Sequence, residues 1–221
     1  VDGILETTFP GASWTWEWLS RGGGRVDRLS VWLGSLSSDS SNRCIRIGRK
    51  NIIASIEGEV SGAVESSFSS VMEIPRGAYL TIVDPVLIES GLQNSWHDRA
   101  VGSGTGSSWV RLGGRRPMLI HTDELSEDEQ VRGFVIATGK IVQHRLSAPE
   151  LNTIDQVASS VAKMGISNIT LRCSLDPDIH PTLQRRITRE LKGAEGSKGF
   201  LVDLDVQRPT GTQKVYVVCK E

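Results

Sequence analysis

Several features that confer common functions are scarce or missing in this chain of 221 residues. No run of about 18 consecutive apolar residues occurs, which is the minimum for a membrane-spanning helix. Three cysteines are too few and too scattered for a disulfide framework. The net charge of −1 recruits neither nucleic acid nor a membrane surface. We therefore expect a soluble protein of a reducing compartment, the cytoplasm, with no transmembrane segment.

Motifs for metals and cofactors are missing as well. Structural zinc sites need paired ligands at short spacing, and no such pair occurs among the four candidates Cys173, Asp176, Asp178 and His180. The glycine-rich run at 102–106 lacks the lysine of a phosphate-binding loop and the flanking strand and helix of a dinucleotide site. The sequence therefore predicts no metal and no small-molecule cofactor.

Three of the six tryptophans stand at alternate positions in one short window, as Trp14, Trp16 and Trp18. In an extended strand these indoles share one face, with Thr15 and Glu17 on the other. Such a face is a buried core strand, a protein interface or a platform for a ligand. Both readings other than the buried core make this region a contact surface.

The first half of the chain has the pattern of β structure. Alternation and β-branched residues predict five strands, at Val26–Leu36, Arg43–Ile47, Asn51–Val60, Ala63–Ile74 and Ala78–Ile88. Short strands at this spacing are typical of a sandwich or barrel. We therefore assign residues 1–117 to a β-rich region built as an antiparallel sandwich or barrel.

Residues 94–117 end this region with five glycines and no sustained periodicity, which predicts a long loop. The loop carries Arg99, Arg111, Arg115 and Arg116, and five carboxylates follow at 123–129. Opposite charges so close in sequence either neutralise each other within one molecule or dock onto a second copy.

Residues 118–221 change to a mixture of helices and strands. Ser147-Ala148-Pro149-Glu150 has capping-box spacing and opens an amphipathic helix over about 148–164. A second helix is predicted at about 179–192, and a hairpin follows near 207–212. The chain is therefore predicted to be α+β, with a C-terminal mixed sheet covered by two helices. The two regions either fold as separate domains or form one continuous domain.

Two groups of basic residues suggest contact with nucleic acid. Arginine planes bind phosphates and stack on bases, and a basic stripe on one helix face is a common footprint. The candidates are Arg43, Arg46, Arg49, Lys50, Arg185, Arg186, Arg189 and Lys192. A surface helix with a solvated charged face has the same pattern.

The function predicted first is that of a non-enzymatic structural protein that self-associates through the tryptophan face and the arginine loop. By fold-level analogy it would be a viral coat, matrix or movement protein. The alternative is an RNA-binding or other nucleic-acid-binding accessory protein. The third hypothesis is a hydrolase whose active site is assembled from residues far apart in the sequence. His97, Asp98, Ser107 and Ser108 lie close together, but a glycine-rich loop neither orients the base nor supplies an oxyanion hole, and no Gly-x-Ser-x-Gly elbow occurs.

Overall fold

The computed structural model describes residues 2–60, 74, 77–102, 106–111, 116–208 and 210–221, except for the side chains of residues 144, 207 and 208. Within these ranges two sheets and six α-helices form an α+β protein, which confirms the predicted class. None of these helices is long and apolar enough to cross a membrane. The strand predicted at 63–74 lies outside the described residues except for Ile74.

The N-terminal strands form one four-stranded sheet. They are β1 (Trp14–Ser20), β2 (Arg28–Leu33), β3 (Asn42–Ile47) and β4 (Ile52–Gly58), preceded by helix α1 (Asp2–Thr8). The order is β2-β1-β3-β4, with β1 antiparallel to β2 and parallel to β3. The predicted antiparallel sandwich or barrel is therefore wrong for the described part of this half. The strands do alternate in direction along the chain, but β3 pairs with the free edge of β1 instead of the edge of β2.

The second sheet has seven strands among the described residues. They are β5 (Tyr79–Val83), β6 (Ser107–Arg111), β7 (Met118–His121), β8 (Val135–Leu146), β9 (Ile166–Leu171), β10 (Ser197–Arg208) and β11 (Gly211–Lys220). Their order is β6-β7-β5-β8-β11-β10-β9, and β9 runs parallel to β10. The sheet therefore takes strands from both regions assigned in the sequence. The parallel pair of β9 and β10 makes the sheet mixed, and β10 and β11 form a hairpin, as predicted.

In the part of the chain that the structure describes, five α-helices follow α1: α2 (Val86–Glu89), α3 (Gln93–Val101), α4 (Glu129–Arg132), α5 (Ile154–Lys163) and α6 (His180–Glu190). The last two confirm the helices predicted at about 148–164 and 179–192. Helix α5 begins later than predicted because the Thr153 hydroxyl donates to the Ala148 carbonyl and accepts from the Glu150 amide. These bonds hold the preceding residues in turns instead of the predicted capping box.

The seven-stranded sheet curls around one core. Val110 of β6 packs in the same apolar cluster as Leu204 and Val206 of β10, although these strands are far apart in the strand order. On the opposite face, α5 and α6 cover β9 and parts of β10 and β11 through a second cluster that includes Val161 and Ile187. A third core lies between the two sheets.

The loop predicted at 94–117 is a helix and a strand over most of its described residues. Leu92, Trp96 and Ala100 recur every four residues and are buried, so they form the apolar stripe of α3. Gly102 has φ of 75°, in the left-handed region where glycine ends helices. Strand β6 then begins at Ser107. The two glycines described here, Gly102 and Gly106, lie between helix α3 and strand β6, so they do not interrupt either element.

The strand predicted at Ala78–Ile88 is also shorter than expected. Strand β5 ends at Val83 and α2 begins at Val86. Between them, the Asp84 carboxylate accepts from the Val86 amide at 3.0 Å, which turns the chain into the helix.

Candidate functional site

Trp14, Trp16 and Trp18 lie on strand β1, but their indoles do not form an exposed platform. Thr15 is fully buried and Glu17 nearly so, while all three indoles are half-buried. The Trp16 indole nitrogen donates to Asp2 of α1 at 3.1 Å, and Trp18 packs against the core between the sheets. The chain itself therefore uses much of this surface.

The arginines of the predicted loop are largely engaged within the molecule. Arg111 donates to the carbonyl and the carboxylate of Asp203, at 3.1 and 3.4 Å. Arg116 donates to the carbonyls of residues 172 and 173, at 2.7 and 2.9 Å. Arg99 is exposed at the end of α3, and Arg115 lies outside the described residues. The two engaged arginines fasten the β6–β7 side of the curled sheet to its β9–β10 side.

The first basic group, at residues 43–50, is half neutralised. Arg43 lies between Glu17 and Glu57, at 2.6 and 3.3 Å. Arg46 forms an ion pair with the fully buried Asp84, which also accepts from the Ser20 hydroxyl at 2.7 Å. These bonds join β1 and β3 of the first sheet to the end of β5 in the second. Of this group only the last two residues, Arg49 and Lys50, are exposed.

The second basic group, on and after α6, is also partly paired. Arg186 binds Asp155 of α5 through two hydrogen bonds and donates to the Leu151 carbonyl. Arg189 pairs with its neighbour Glu190 at 3.1 Å. Arg185 and Lys192 are exposed. Half of the eight residues proposed to bind nucleic acid therefore have a carboxylate partner.

A serine and a histidine meet where α3 crosses the edge of the second sheet. The His97 Nε2 atom lies 2.7 Å from the Ser107 hydroxyl oxygen. Both side chains are half-buried, with 22% of the His97 side chain exposed. The buried indole of Trp96 and the ring of Trp109 hold the helix on the strand, at a centroid separation of 6.1 Å. The pair is therefore fixed by packing and still reachable from solvent.

Asp98 contacts the other imidazole nitrogen of this pair. Its carboxylate lies 3.5 Å from His97 Nδ1, and 70% of the Asp98 side chain is exposed. A contact of this length in solvent orients the ring weakly. The Trp109 ring, 6.5 Å from the His97 ring, is a second orienting neighbour.

A second histidine lies directly beside Ser107 on β7. The strand register pairs His121 with Ser107 on one side and with Tyr79 on the other, and the Tyr79 and His121 rings stack at 5.6 Å. His121 is fully buried, and its Nδ1 lies 2.6 Å from the Asp123 carbonyl. Since a carbonyl only accepts, Nδ1 carries the proton and Nε2 accepts from the Thr81 hydroxyl, at 2.8 Å.

The surroundings of His121 keep its imidazole neutral. Burial lowers its pKa below the ordinary value of 6.5, and repulsion from His97 and Arg132 acts in the same direction, while the hydrogen bond to the Asp123 carbonyl opposes both. Thr81 is bonded in turn to Thr138 at 2.7 Å. The Thr81 hydroxyl and the Asp123 carbonyl thus give the neutral ring one partner on each nitrogen.

This burial predicts that the protein loses stability as the pH falls below 6.5. Below that pH His121 is protonated in the unfolded chain but stays neutral in the folded protein. The free energy of unfolding therefore falls by up to about 1.4 kcal/mol per pH unit until the folded pKa is reached. Urea unfolding between about pH 5 and pH 8 measures this slope. The His121→Gln variant should lose it, and an unchanged slope would show that His121 is not the group responsible.

No cluster of three or more potential metal ligands occurs among the residues that the structure describes. Two members of the group weighed for zinc bind backbone carbonyls instead. Cys173 donates to Leu201 at 3.3 Å, and His180 Nε2 lies 2.9 Å from the Leu171 carbonyl. Burial also raises the pKa of the Cys173 thiol well above its ordinary value, which opposes the thiolate that metals bind.

Comparisons with known proteins give one solved structure that resembles the chain. It is that of a "putative methyltransferase" from Porphyromonas gingivalis W83, at 14% sequence identity and a TM-score of 0.46. The similarity covers 98% of this chain and 48% of that protein, so this chain spans about half its length. No family model matches the chain, and no curated protein matches it by sequence.

The prediction of a non-enzymatic, self-associating structural protein is wrong. The solved structure that resembles the chain is named as a "putative methyltransferase", not as a coat, matrix or movement protein. The side chains on which that prediction depended also have partners within the chain: Trp16, Arg111 and Arg116 form intramolecular hydrogen bonds. The predicted compartment and any oligomer stay predictions.

Proposed function

We propose that the chain is a hydrolase of carboxylic esters, with Ser107 as the nucleophile and His97 as the general base. The observation that carries this proposal is the 2.7 Å separation between the Ser107 oxygen and His97 Nε2. A serine hydroxyl is a weak nucleophile unless an adjacent base takes its proton, and such pairs are separated by about 2.6–3.2 Å. This geometry supports a hydrolase, but at a local serine–histidine pair and not at the dispersed site that the sequence left open.

The reaction would proceed in two balanced steps. Ser107 Oγ attacks the ester carbonyl carbon while its proton passes to His97 Nε2. The bond between the carbonyl carbon and the alkoxide oxygen then breaks, His97 gives its proton to that oxygen, the alcohol leaves, and the acyl group stays on Ser107 as an ester. Water, deprotonated by the same imidazole, attacks the acyl-serine and releases the carboxylic acid and free Ser107. No oxidant, metal or cofactor is needed.

The neighbouring histidine supports this role by remaining uncharged. His97 becomes an imidazolium in each step, and a second positive ring beside it would raise the energy of that state. Because burial lowers the pKa of His121, its ring is neutral at neutral pH. Asp98 contributes little in this scheme, since its carboxylate is mostly exposed and 3.5 Å from the ring.

Covalent labelling tests the proposal. A fluorophosphonate ester reacts with activated serines, and mass spectrometry of the digested protein locates the label. We expect labelling at Ser107, its loss in Ser107→Ala, and a rate lowered by about 10²–10⁴-fold in His97→Gln. Asp98→Asn should change the rate by less than about fivefold.

Ser108→Ala is the matched control. Ser108 is adjacent in sequence but pairs with Ile120, so it lies on the opposite face of β6 from His97. This variant should be labelled at the wild-type rate. A wild-type protein that takes no label at Ser107, or a label that persists in Ser107→Ala, would contradict the proposal.

A further inference from the structure

Arg145 has an unfavourable backbone conformation at an exposed position. Its φ is 72°, and it is the one non-glycine residue with positive φ among those described. The strand register explains this value: Tyr216 and Val217 of β11 pair with Leu146 and His144, so Arg145 is the extra residue of a β-bulge in β8. Glycine is the residue that favours this conformation in bulges. A long cationic side chain at such a position suggests a role outside the fold.

The bulge places Arg145 where two cavities adjoin. The larger, of about 390 Å³, is lined by Arg145, Leu146, Gln213, Lys214 and Val215. The smaller, of about 180 Å³, is lined by Gln143, Arg145, Leu146, Ser147, Gln156, Val157 and Ser160. Small-molecule sites commonly occupy roughly 300–1,000 Å³. Together the cavities form one groove, the Arg145 groove, which runs from the end of β8 and the first half of β11 to α5.

The charge of this groove is positive. Its lining has two cations, three amides and two hydroxyls, and no carboxylate among the described lining residues. Lys214 is partly neutralised, because it lies 3.2 Å from Asp203. Within the described part of the chain, no carboxylate lies within ion-pair distance of the Arg145 guanidinium. Arg145 is therefore the cation best placed for an external anion.

We propose that the Arg145 groove binds a phosphate group. A guanidinium binds phosphate through two parallel hydrogen bonds, and amide and hydroxyl donors satisfy the remaining oxygens. Gln213 contributes such an amide to the larger cavity, and Gln143 and Ser147 contribute an amide and a hydroxyl to the smaller one. The groove is separate from the Ser107–His97 pair, whose residues line neither cavity. This proposal therefore stands or fails independently of the hydrolase.

Isothermal titration calorimetry distinguishes the sources of the phosphate. Inorganic phosphate, a nucleoside 5′-monophosphate and a single-stranded oligonucleotide are titrated into the full chain. Tighter binding of the monophosphate than of inorganic phosphate would assign a mononucleotide, and binding of the oligonucleotide with a steep loss in salt would assign a nucleic-acid backbone. Absence of binding by all three ligands would overturn the proposal.

Arg145→Gly separates a binding role from a structural one. Glycine relieves the strained φ, so the melting temperature should rise by about 2–4 °C. Binding of whichever ligand is active should weaken by roughly tenfold or more, because the bidentate donor is lost. Lys214→Gln should weaken it less, since Lys214 is already paired with Asp203.

Arg185→Ala is the matched control, because it removes the same charge from an exposed site on α6. It should leave the affinity within about twofold of the wild type. Unchanged binding in Arg145→Gly together with weakened binding in Arg185→Ala would move the site to α6 and overturn the proposal. A lower melting temperature in Arg145→Gly would show that the arginine has a structural role instead.

Discussion

Replacing Asp84 by asparagine is expected to lower the free energy of unfolding by about 3–5 kcal/mol. Asp84 is fully buried and accepts from Arg46, from the Ser20 hydroxyl and from the Val86 amide. The amide keeps the shape of the carboxylate but removes its charge, so the Arg46 guanidinium, of whose side chain 17% is exposed, loses its anionic partner. Breaking one side of a buried ion pair costs far more than the pair contributes.

Asp84 joins the two sheets, so its replacement should destabilise both of them. Its partners lie on β1 and β3 of the first sheet, while Asp84 itself ends β5 of the second. Gly22 is part of the same arrangement, because a Cβ at that position would collide with the Arg46 guanidinium. We therefore expect both sheets to unfold in one transition at a lower urea concentration.

Two variants make the Asp84 test specific. Asp39→Asn removes a carboxylate from an exposed loop and should change stability by less than about 0.5 kcal/mol. The double variant Asp84→Leu with Arg46→Met replaces the pair by apolar groups and should recover most of the loss, because it leaves no buried charge alone. A double variant as unstable as Asp84→Asn would mean that the ion pair itself is not responsible.

The elements that the sequence predicts well are those whose pattern is local. Helices α5 and α6 follow from apolar residues at helical spacing, and β1, β3 and β4 from alternation between turn residues. The order of the strands does not follow from such patterns. The parallel pairing of β1 with β3 depends on which strand edge is free to form hydrogen bonds, and no pattern of residues in the sequence indicates this.

The candidate site was only partly visible from the sequence. His97 and Ser107 were noticed for their proximity in the chain, but a flexible loop would have left them unoriented. The decisive signal was the four-residue spacing of Leu92, Trp96 and Ala100, which makes the segment a helix and brings His97 onto β6. The Arg145 groove had no local signal, since a bulge arises from the register between β8 and β11.

The arginines were recognised as important, but their partners were assigned wrongly. Arg111 was expected to meet the acidic segment at 123–129 or a second copy. It binds Asp203, which is 92 residues away in the sequence. Such a contact follows only from the curl of the sheet, which brings β6 beside β10.

Asp203→Asn is therefore expected to weaken the contact between β6 and β10. The free energy of unfolding should fall by about 3 kcal/mol, the lower end of the range for a broken buried ion pair. The Asp203 carboxylate is fully buried and accepts hydrogen bonds from Arg111, Lys214 and the Ser174 amide. The cost is at the lower end because Lys214 is 43% exposed and water can solvate it. Arg111 ends the strand that Ser107 begins, so Ser107 labelling should slow as well.

The pH dependence of this loss has a defined sign. Burial alone would raise the pKa of Asp203, but the Ser174 amide and the attraction of Arg111 and Lys214 outweigh it and hold the pKa below 3.8. The stabilisation is thus complete well above pH 3.8 and is lost as the pH falls through the folded pKa. Urea unfolding should give a constant difference between wild type and variant near neutral pH and a shrinking one below pH 3.8.

Asp205→Asn provides the comparison that decides the matter. Asp205 lies two residues further along β10 and is exposed, so its loss should change the free energy of unfolding by less than about 0.5 kcal/mol. Both variants remove one negative charge from the same strand. Equal effects of the two substitutions would attribute the change to overall charge, whereas a large effect confined to Asp203→Asn attributes it to the buried contact that closes the sheet.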